Sequence, residues 1–195
     1  GDSQALPKVE DHIGSPLSPY AVTKYVNELY AQVFSRIYGS RLVGLRYFNV
    51  FGPKQGPNGA YAAVIPLFMK AATENQPPIF NGNGEHTRDF TFVDNVVQAN
   101  IKSFFYETME AKHEVINVAF GERTSLKELW SYISEISGVN LSPVLKPDRL
   151  GDVKDSLANI EKAKKLIKYN PAFNVREGLE ITYEWFKKSQ TSVIS

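Results

Sequence analysis

Ser18-Pro19-Tyr20-Ala21-Val22-Thr23-Lys24 opens a run that continues to Gly39, and Arg41–Val50 (Arg-Leu-Val-Gly-Leu-Arg-Tyr-Phe-Asn-Val) follows it at once. Ser18 is a good N-cap, and Pro19 suits the first helical position, where a missing N–H costs nothing. Val22, Val26, Leu29, Val33 and Ile37 then recur at helical spacing, and Tyr30 and Phe34 widen the stripe. Gly39 supplies a C-cap. A helix of about 18 residues with so wide an apolar face suits burial between a sheet and a partner helix. The next ten residues are β-rich and close on the turn residues Gly52 and Pro53, so they read as one strand. A helix feeding such a strand predicts an α/β fold, here the last part of a parallel layer.

Working outward, residues 1–19 carry Pro7, Gly14 and Pro16 among polar neighbours and read as irregular. Tyr61–Glu74 reads as a helix with Pro66 in its first turn. Pro77–Phe80 and Arg88–Val93 read as short strands, and Asp94 is placed to cap a helix reaching about Tyr106. Val115–Val118 is a strand. Ser125-x-x-Glu128 has capping-box spacing for a helix that Gly138 ends. Pro143–Pro147 reads as extended, Ile160–Ile167 and Val175–Lys188 as helices, and the tail from Ser189 as frayed. This second part predicts a smaller α/β cap. No Gly-x-Gly-x-x-Gly turn occurs; Gly82-x-Gly84 comes nearest, with Thr87 where the third glycine would stand.

The 195 residues hold 22 basic and 21 acidic side chains, a net charge of +1, which excludes a strongly basic nucleic-acid binder. With no cysteine, disulfide scaffolds, thiolate nucleophiles and Cys-ligated metals are excluded too. No apolar run reaches the roughly 18 residues a membrane span needs. A cytoplasmic location is the expectation.

Tyr20 and Lys24 are four apart and share one helical face. An ammonium beside a phenol favours the phenolate, and such a pair can exchange a proton with a sugar or alcohol hydroxyl. Spacing alone is weak evidence, because Tyr183 and Lys187 repeat it in a terminal amphipathic helix where packing and surface charge explain them.

The surroundings of Tyr20 decide the matter. Ser18–Lys24, Leu45-Arg46-Tyr47-Phe48-Asn49-Val50-Phe51-Gly52-Pro53, Arg88-Asp89-Phe90, Asp94-Asn95-Val96 and Arg149-Leu150-Gly151-Asp152-Val153 stand in one order. Together they resemble the extended short-chain dehydrogenase/reductases that act on nucleotide sugars, and within them the bacterial UDP-N-acetylglucosamine 4-epimerases. Pro57–Pro66 is similar to that subgroup in particular. The resemblance runs from residue 1 to about residue 185. It implies the tail end of a Rossmann-type parallel layer in residues 1–60 and a substrate-binding cap, with return segments to that layer, in residues 61–188. It also implies an NAD-binding half upstream, carrying a catalytic Ser or Thr, so this chain reads as a C-terminal piece that needs that half for activity.

The same resemblance implies roles. Tyr20 is the general base and acid at the sugar 4-hydroxyl, and Lys24 holds the nicotinamide ribose. NAD takes the C4 hydride and returns it to the other face of a rotated 4-keto sugar. Phe48 lines the nicotinamide pocket. Asn49 meets the diphosphate, Gln55 the sugar, and Ala63 and Val64 the nucleotide. Arg88 and Arg149 neutralise the diphosphate, and Asp152 binds a ribose or orients Arg149. Ser156 stands where a bulky Tyr excludes N-acetylated sugars, and a small side chain admits them. The helix Tyr20–Tyr38 is expected to form a homodimer.

Plainer readings remain for each. Arg88 and Asp89 fit a surface ion pair worth about 0–1 kcal/mol. Asn49 fits a strand-terminating turn, and Ser156 fits a loop hydroxyl without a ligand. Arg149 and Asp152 fit a solvated loop pair. His12, His86 and His113 are isolated and read as solvated, with no metal site expected. Rival functions are a nucleotide-sugar 4,6-dehydratase, a glucose or glucuronate epimerase or decarboxylase, and a non-catalytic dimerising module.

Overall fold

The computed structural model describes residues 2–58, 63–107, 112–147 and 154–191. Helix α1, Pro19–Tyr38, begins as its sequence predicts: the Ser18 hydroxyl accepts the Ala21 N–H at 3.1 Å, and Gly39 closes it at φ 65°. Strand β1, Leu42–Tyr47, pairs in parallel with β6, His113–Val118, with Leu42 opposite His113 and Tyr47 opposite Val118. Helix α3, Val93–Phe104, and helix α5, Glu161–Ile167, cover this pair. Val96, Ala99, Ile116, Val118, Ala163, Ile167 and Tyr169 form one core there.

The second core belongs to the cap. Helices α2 (Val64–Thr73), α4 (Leu126–Ser137) and α6 (Val175–Thr191) meet there with the parallel strands β2 (Val50–Phe51) and β5 (Thr91–Phe92). Phe68 stacks on Phe80 and meets Trp130 edge-on, while Phe51 meets Phe92 edge-on in the core they share with Leu179. Two further strand pairs edge the cap: β3 (Ile79–Asn81) runs parallel to β8 (Val144–Lys146), and β4 (Thr87–Arg88) antiparallel to β7 (Thr124–Ser125). The capping box is present: Ser125 accepts from the Glu128 N–H, and the Glu128 carboxylate accepts from Ser125 N–H and hydroxyl, which hold it below the usual carboxylate range. The result is a mixed α/β fold, a parallel-layer end plus a smaller cap.

Several local expectations are corrected. The strand read over Arg41–Val50 is two, broken at Phe48 and Asn49, because Asn49 takes φ 35° and turns the chain between cores. The strand read over Arg88–Val93 is likewise broken at Asp89 and Phe90. Asp94 lies inside the first turn of α3 rather than capping it; Phe92 is the N-cap and supplies no side-chain bond. Helix α6 continues through Thr191, past the point where fraying was expected. The apolar face of α1 is not buried here. Only Ser35 of that helix is buried, while Val22, Leu29, Val33 and Ile37 remain 39–62% exposed, since no described element covers them.

Candidate active site

Tyr20 and Lys24 stand in the first two turns of α1. The Lys24 ammonium lies 5.3 Å from the centroid of the Tyr20 ring, and Tyr20 is 70% exposed. Both are open to solvent on one face, so a ligand can reach them. The chain has no glycine-rich turn to hold the pyrophosphate of a dinucleotide.

A cleft lies elsewhere, and neither Tyr20 nor Lys24 is among its lining residues. Asn49, Gln55, Ala63, Val64 and Arg88, five residues singled out from sequence, line it together. Phe51, Ile65, Phe90 and Leu126 supply apolar walls, and Asn81 and His86 add polar ones. Apolar walls with a few convergent polar groups suit a small ligand that has a flat part and a charged part.

Each polar group is placed by its neighbours. Asn49 donates its side-chain amide to the Asp89 carbonyl at 3.1 Å, and its own carbonyl accepts from the Thr91 N–H at 3.2 Å. Gln55 donates to the Val50 carbonyl at 3.1 Å, which leaves its Oε1 buried with no donor among the described residues. A buried acceptor in a cleft wall is a group that a ligand donor would satisfy. The Arg88 guanidinium donates through Nη1 to the carbonyls of Thr87 (2.9 Å) and Lys154 (3.0 Å), which fixes the guanidinium in place.

The segment after residue 153 is stitched to β4. Thr87 donates its hydroxyl to Asp155 at 2.6 Å and thereby holds that carboxylate below the usual range. Ser156 donates its N–H to the Thr87 carbonyl at 3.1 Å. It is half-buried, one residue from Arg88 across this contact, and its side chain is not part of the cleft wall. Phe48 is half-buried against Ala119, Ala158 and Ile160, also outside the cleft. Arg149 and Asp152 lie outside the described residues, as does the middle of Pro57–Pro66.

Two features were missed. His86, read as solvated, lines the cleft. Its position two residues before Arg88 on an extended segment puts both on one side, a period-two signal present in the sequence. Asp89, for which a surface ion pair with Arg88 was the plainer alternative, is fully buried. Among the described residues no group of three or more His, Cys, Asp or Glu could hold a metal, and no helix is long and apolar enough to cross a membrane.

A family model described as the NAD dependent epimerase/dehydratase family matches residues 1–119. The chain is 35% identical over 189 residues to a putative UDP-glucose 4-epimerase of Methanocaldococcus jannaschii, covering 97% of this chain and 60% of that protein. It matches the UDP-glucose 4-epimerase of Thermotoga maritima, solved with UDP-glucose, at 36% identity and TM-score 0.90, over 97% of this chain and 60% of the other. It also matches the UDP-N-acetylglucosamine 4-epimerase of Methanobrevibacter ruminantium, solved with UDP-N-acetylmuramic acid, at 38% identity and TM-score 0.91, with the same coverage. The chain thus spans about 60% of the length of the curated relatives it matches.

Proposed function

Because this chain belongs to the NAD dependent epimerase/dehydratase family, we propose that it forms the substrate-binding part of a UDP-N-acetylglucosamine 4-epimerase that interconverts UDP-GlcNAc and UDP-GalNAc. The observation that carries this reading is the convergence of Asn49, Gln55, Ala63, Val64 and Arg88 on one cleft. Residues 1–60 then complete a dinucleotide-binding layer, and residues 61–188 form most of the cap.

In this reading Arg88 meets the diphosphate, where a guanidinium fork suits phosphate oxygens. Asn49 donates to the same group, and the Gln55 Oε1 accepts from the sugar. Ala63 and Val64 flank the nucleotide, and Arg149 and Asp152 close the site. Tyr20 takes the proton from the sugar 4-hydroxyl and returns it to the inverted centre. Lys24 sets its positive charge beside that phenol and, with Tyr20 and Phe48, would hold the cofactor. NAD, when bound, supplies the reversible hydride acceptor that makes and unmakes a 4-keto sugar. Ser156 leaves room for an acetamido group.

Exposed apolar side chains on α1 support a homodimer through that helix. A second reading has support of its own: the relative from M. jannaschii is named for UDP-glucose. The deciding assay gives the intact gene product UDP-GlcNAc, UDP-Glc and UDP-GlcA and separates the products by chromatography. Turnover of UDP-GlcNAc is expected, and turnover of the other two alone would transfer the assignment to them. The 195-residue chain by itself is expected to turn over none.

A further inference from the structure

Asp89 stands between two residues of the cleft wall, Arg88 and Phe90, yet its own side chain points into the protein and is fully buried. Its carboxylate accepts the N–H groups of Phe120 at 3.1 Å, Gly121 at 3.2 Å and Ala158 at 3.0 Å. Its backbone carbonyl accepts the Asn49 amide at 3.1 Å. One residue therefore ties together the break between β1 and β2, the turn after β6, and the segment leading into α5. Among the described residues no Lys or Arg forms an ion pair with it.

A buried charge without a cation is expensive to keep. Burial pushes the Asp89 carboxyl up to about 6, against the pull of the three N–H groups, and Glu122 adds to the upward push. The nearby Tyr169 hydroxyl is spent on the Ala119 carbonyl at 3.0 Å and gives the carboxylate no donor. A fold selected for stability alone would favour an uncharged residue at this point. Groups that a fold retains against its own stability cluster where geometry serves function.

We propose that Asp89 is a positioning residue for the cleft: it fixes the backbone from which Arg88 and Phe90 project and the direction in which Asn49 presents its amide. The proposal rests on the reading of the cleft as a UDP-sugar site. It assigns Asp89 no contact with the ligand.

Asp89→Asn keeps the shape, removes the charge, and replaces one accepting oxygen with an NH2 that faces a backbone N–H, so at least one of the bonds to Phe120, Gly121 and Ala158 is lost. In the intact gene product, UDP is the probe, titrated calorimetrically. We expect the Kd for UDP to rise at least tenfold when measured at a temperature where the variant is fully folded. Steady-state kinetics should place the loss in KM for the nucleotide sugar, with kcat close to the parent value. A variant that loses stability but binds UDP like the parent would reduce Asp89 to a structural role. A second measurement needs no variant: hydrogen exchange at the amides of Phe120, Gly121 and Ala158, which do not line the cleft, should slow when UDP saturates the protein. Exchange unmoved by UDP overturns the proposal. A parent that fails to bind UDP overturns the reading of the cleft itself and this inference with it.

Discussion

The ammonium of Lys24 lies 5.3 Å from the centroid of the Tyr20 ring, one turn along the exposed face of α1. In the proposed function the Tyr20 phenol is the group of this pair that exchanges a proton with the sugar hydroxyl. Tyr20 is 70% exposed and makes no side-chain hydrogen bond among the described residues, so Tyr20→Phe should leave the thermal midpoint unchanged. Removing a positioned acid–base group costs roughly 10²–10⁴-fold in rate. Turnover of the intact gene product should fall by that factor while UDP affinity stays within error. Retained turnover would take the proton-transfer role away from Tyr20.

Ser156 is half-buried and hydrogen-bonded to the strand that carries Arg88. In the proposed function a bulky ring at this position excludes N-acetylated sugars. Ser156→Tyr in the intact gene product should spare UDP-Glc and UDP-Gal and abolish turnover of the N-acetylated pair, as paired chromatographic assays would record. Equal loss on both pairs would mean that the substitution only disturbs the Thr87 contact.

What the sequence makes legible is local. Ser18, Pro19 and Gly39 mark both ends of α1, and the Ser125–Glu128 box marks the start of α4, because caps satisfy backbone groups a few residues away. The cleft residues were legible through resemblance, as motifs whose meeting in space no period or propensity encodes. Asp89 was not legible: its burial depends on Phe120, Gly121 and Ala158, some 30 to 70 positions away. The exposure of α1 was hidden for the opposite reason. An apolar stripe announces that something covers it, and says nothing of whether that partner lies in the same stretch of chain.

Arg46 makes a bidentate pair with Glu28 at 2.6 Å for both bonds and donates a third to the Glu10 carbonyl at 2.8 Å. It fastens α1 and the first irregular segment to β1. With side chains only 23% and 20% exposed, this pair lies between the surface and buried limits. Arg46→Ala should therefore cost about 2 kcal/mol. Arg46→Lys, which keeps the charge and loses the fork, should cost about 1 kcal/mol. Urea melts of both variants check this ordering; equal losses would mean that the charge alone matters.

His113 lies at the start of β6, and burial lowers its pKa from 6.5 against the upward pull of Glu28 and Glu114, with Lys162 and Arg46 adding to the depression. The unfolded chain therefore binds more protons near pH 6 than the folded one. This residue's contribution rises with pH and is lost as pH falls below about 6.5. Asp89 acts in the other sense: with its carboxyl raised from 3.8 to about 6, the folded chain holds the extra proton, and stability falls as pH rises through that window. The parent curve mixes both slopes. Subtracting the curve of His113→Gln, measured by denaturant melts between about pH 5 and 8, should leave a difference that grows with pH. A flat difference would show that His113 titrates alike in both states.

Gly178 lies inside α6, where helix propensity alone predicts that alanine is better by about 0.8–1 kcal/mol. Its surroundings predict the reverse. A Cβ there would stand 2.7 Å from Phe51 Cζ and from Phe92 Cδ2, and 2.9 Å from Phe92 Cγ. Both rings are buried at 2% exposure and fixed against each other, with centroids 5.7 Å apart. Neither can turn aside without displacing the cap core, and overpacking of this kind costs about 1–3 kcal/mol. The packing cost exceeds the propensity gain, so Gly178→Ala should lose about 1 kcal/mol net. Phe51 also lines the cleft, so the same displacement should weaken UDP binding. Stability and UDP affinity measured on one sample separate the two effects: a stabilised variant with parental affinity would mean that the rings yield and that α6 does not set the position of the cleft wall.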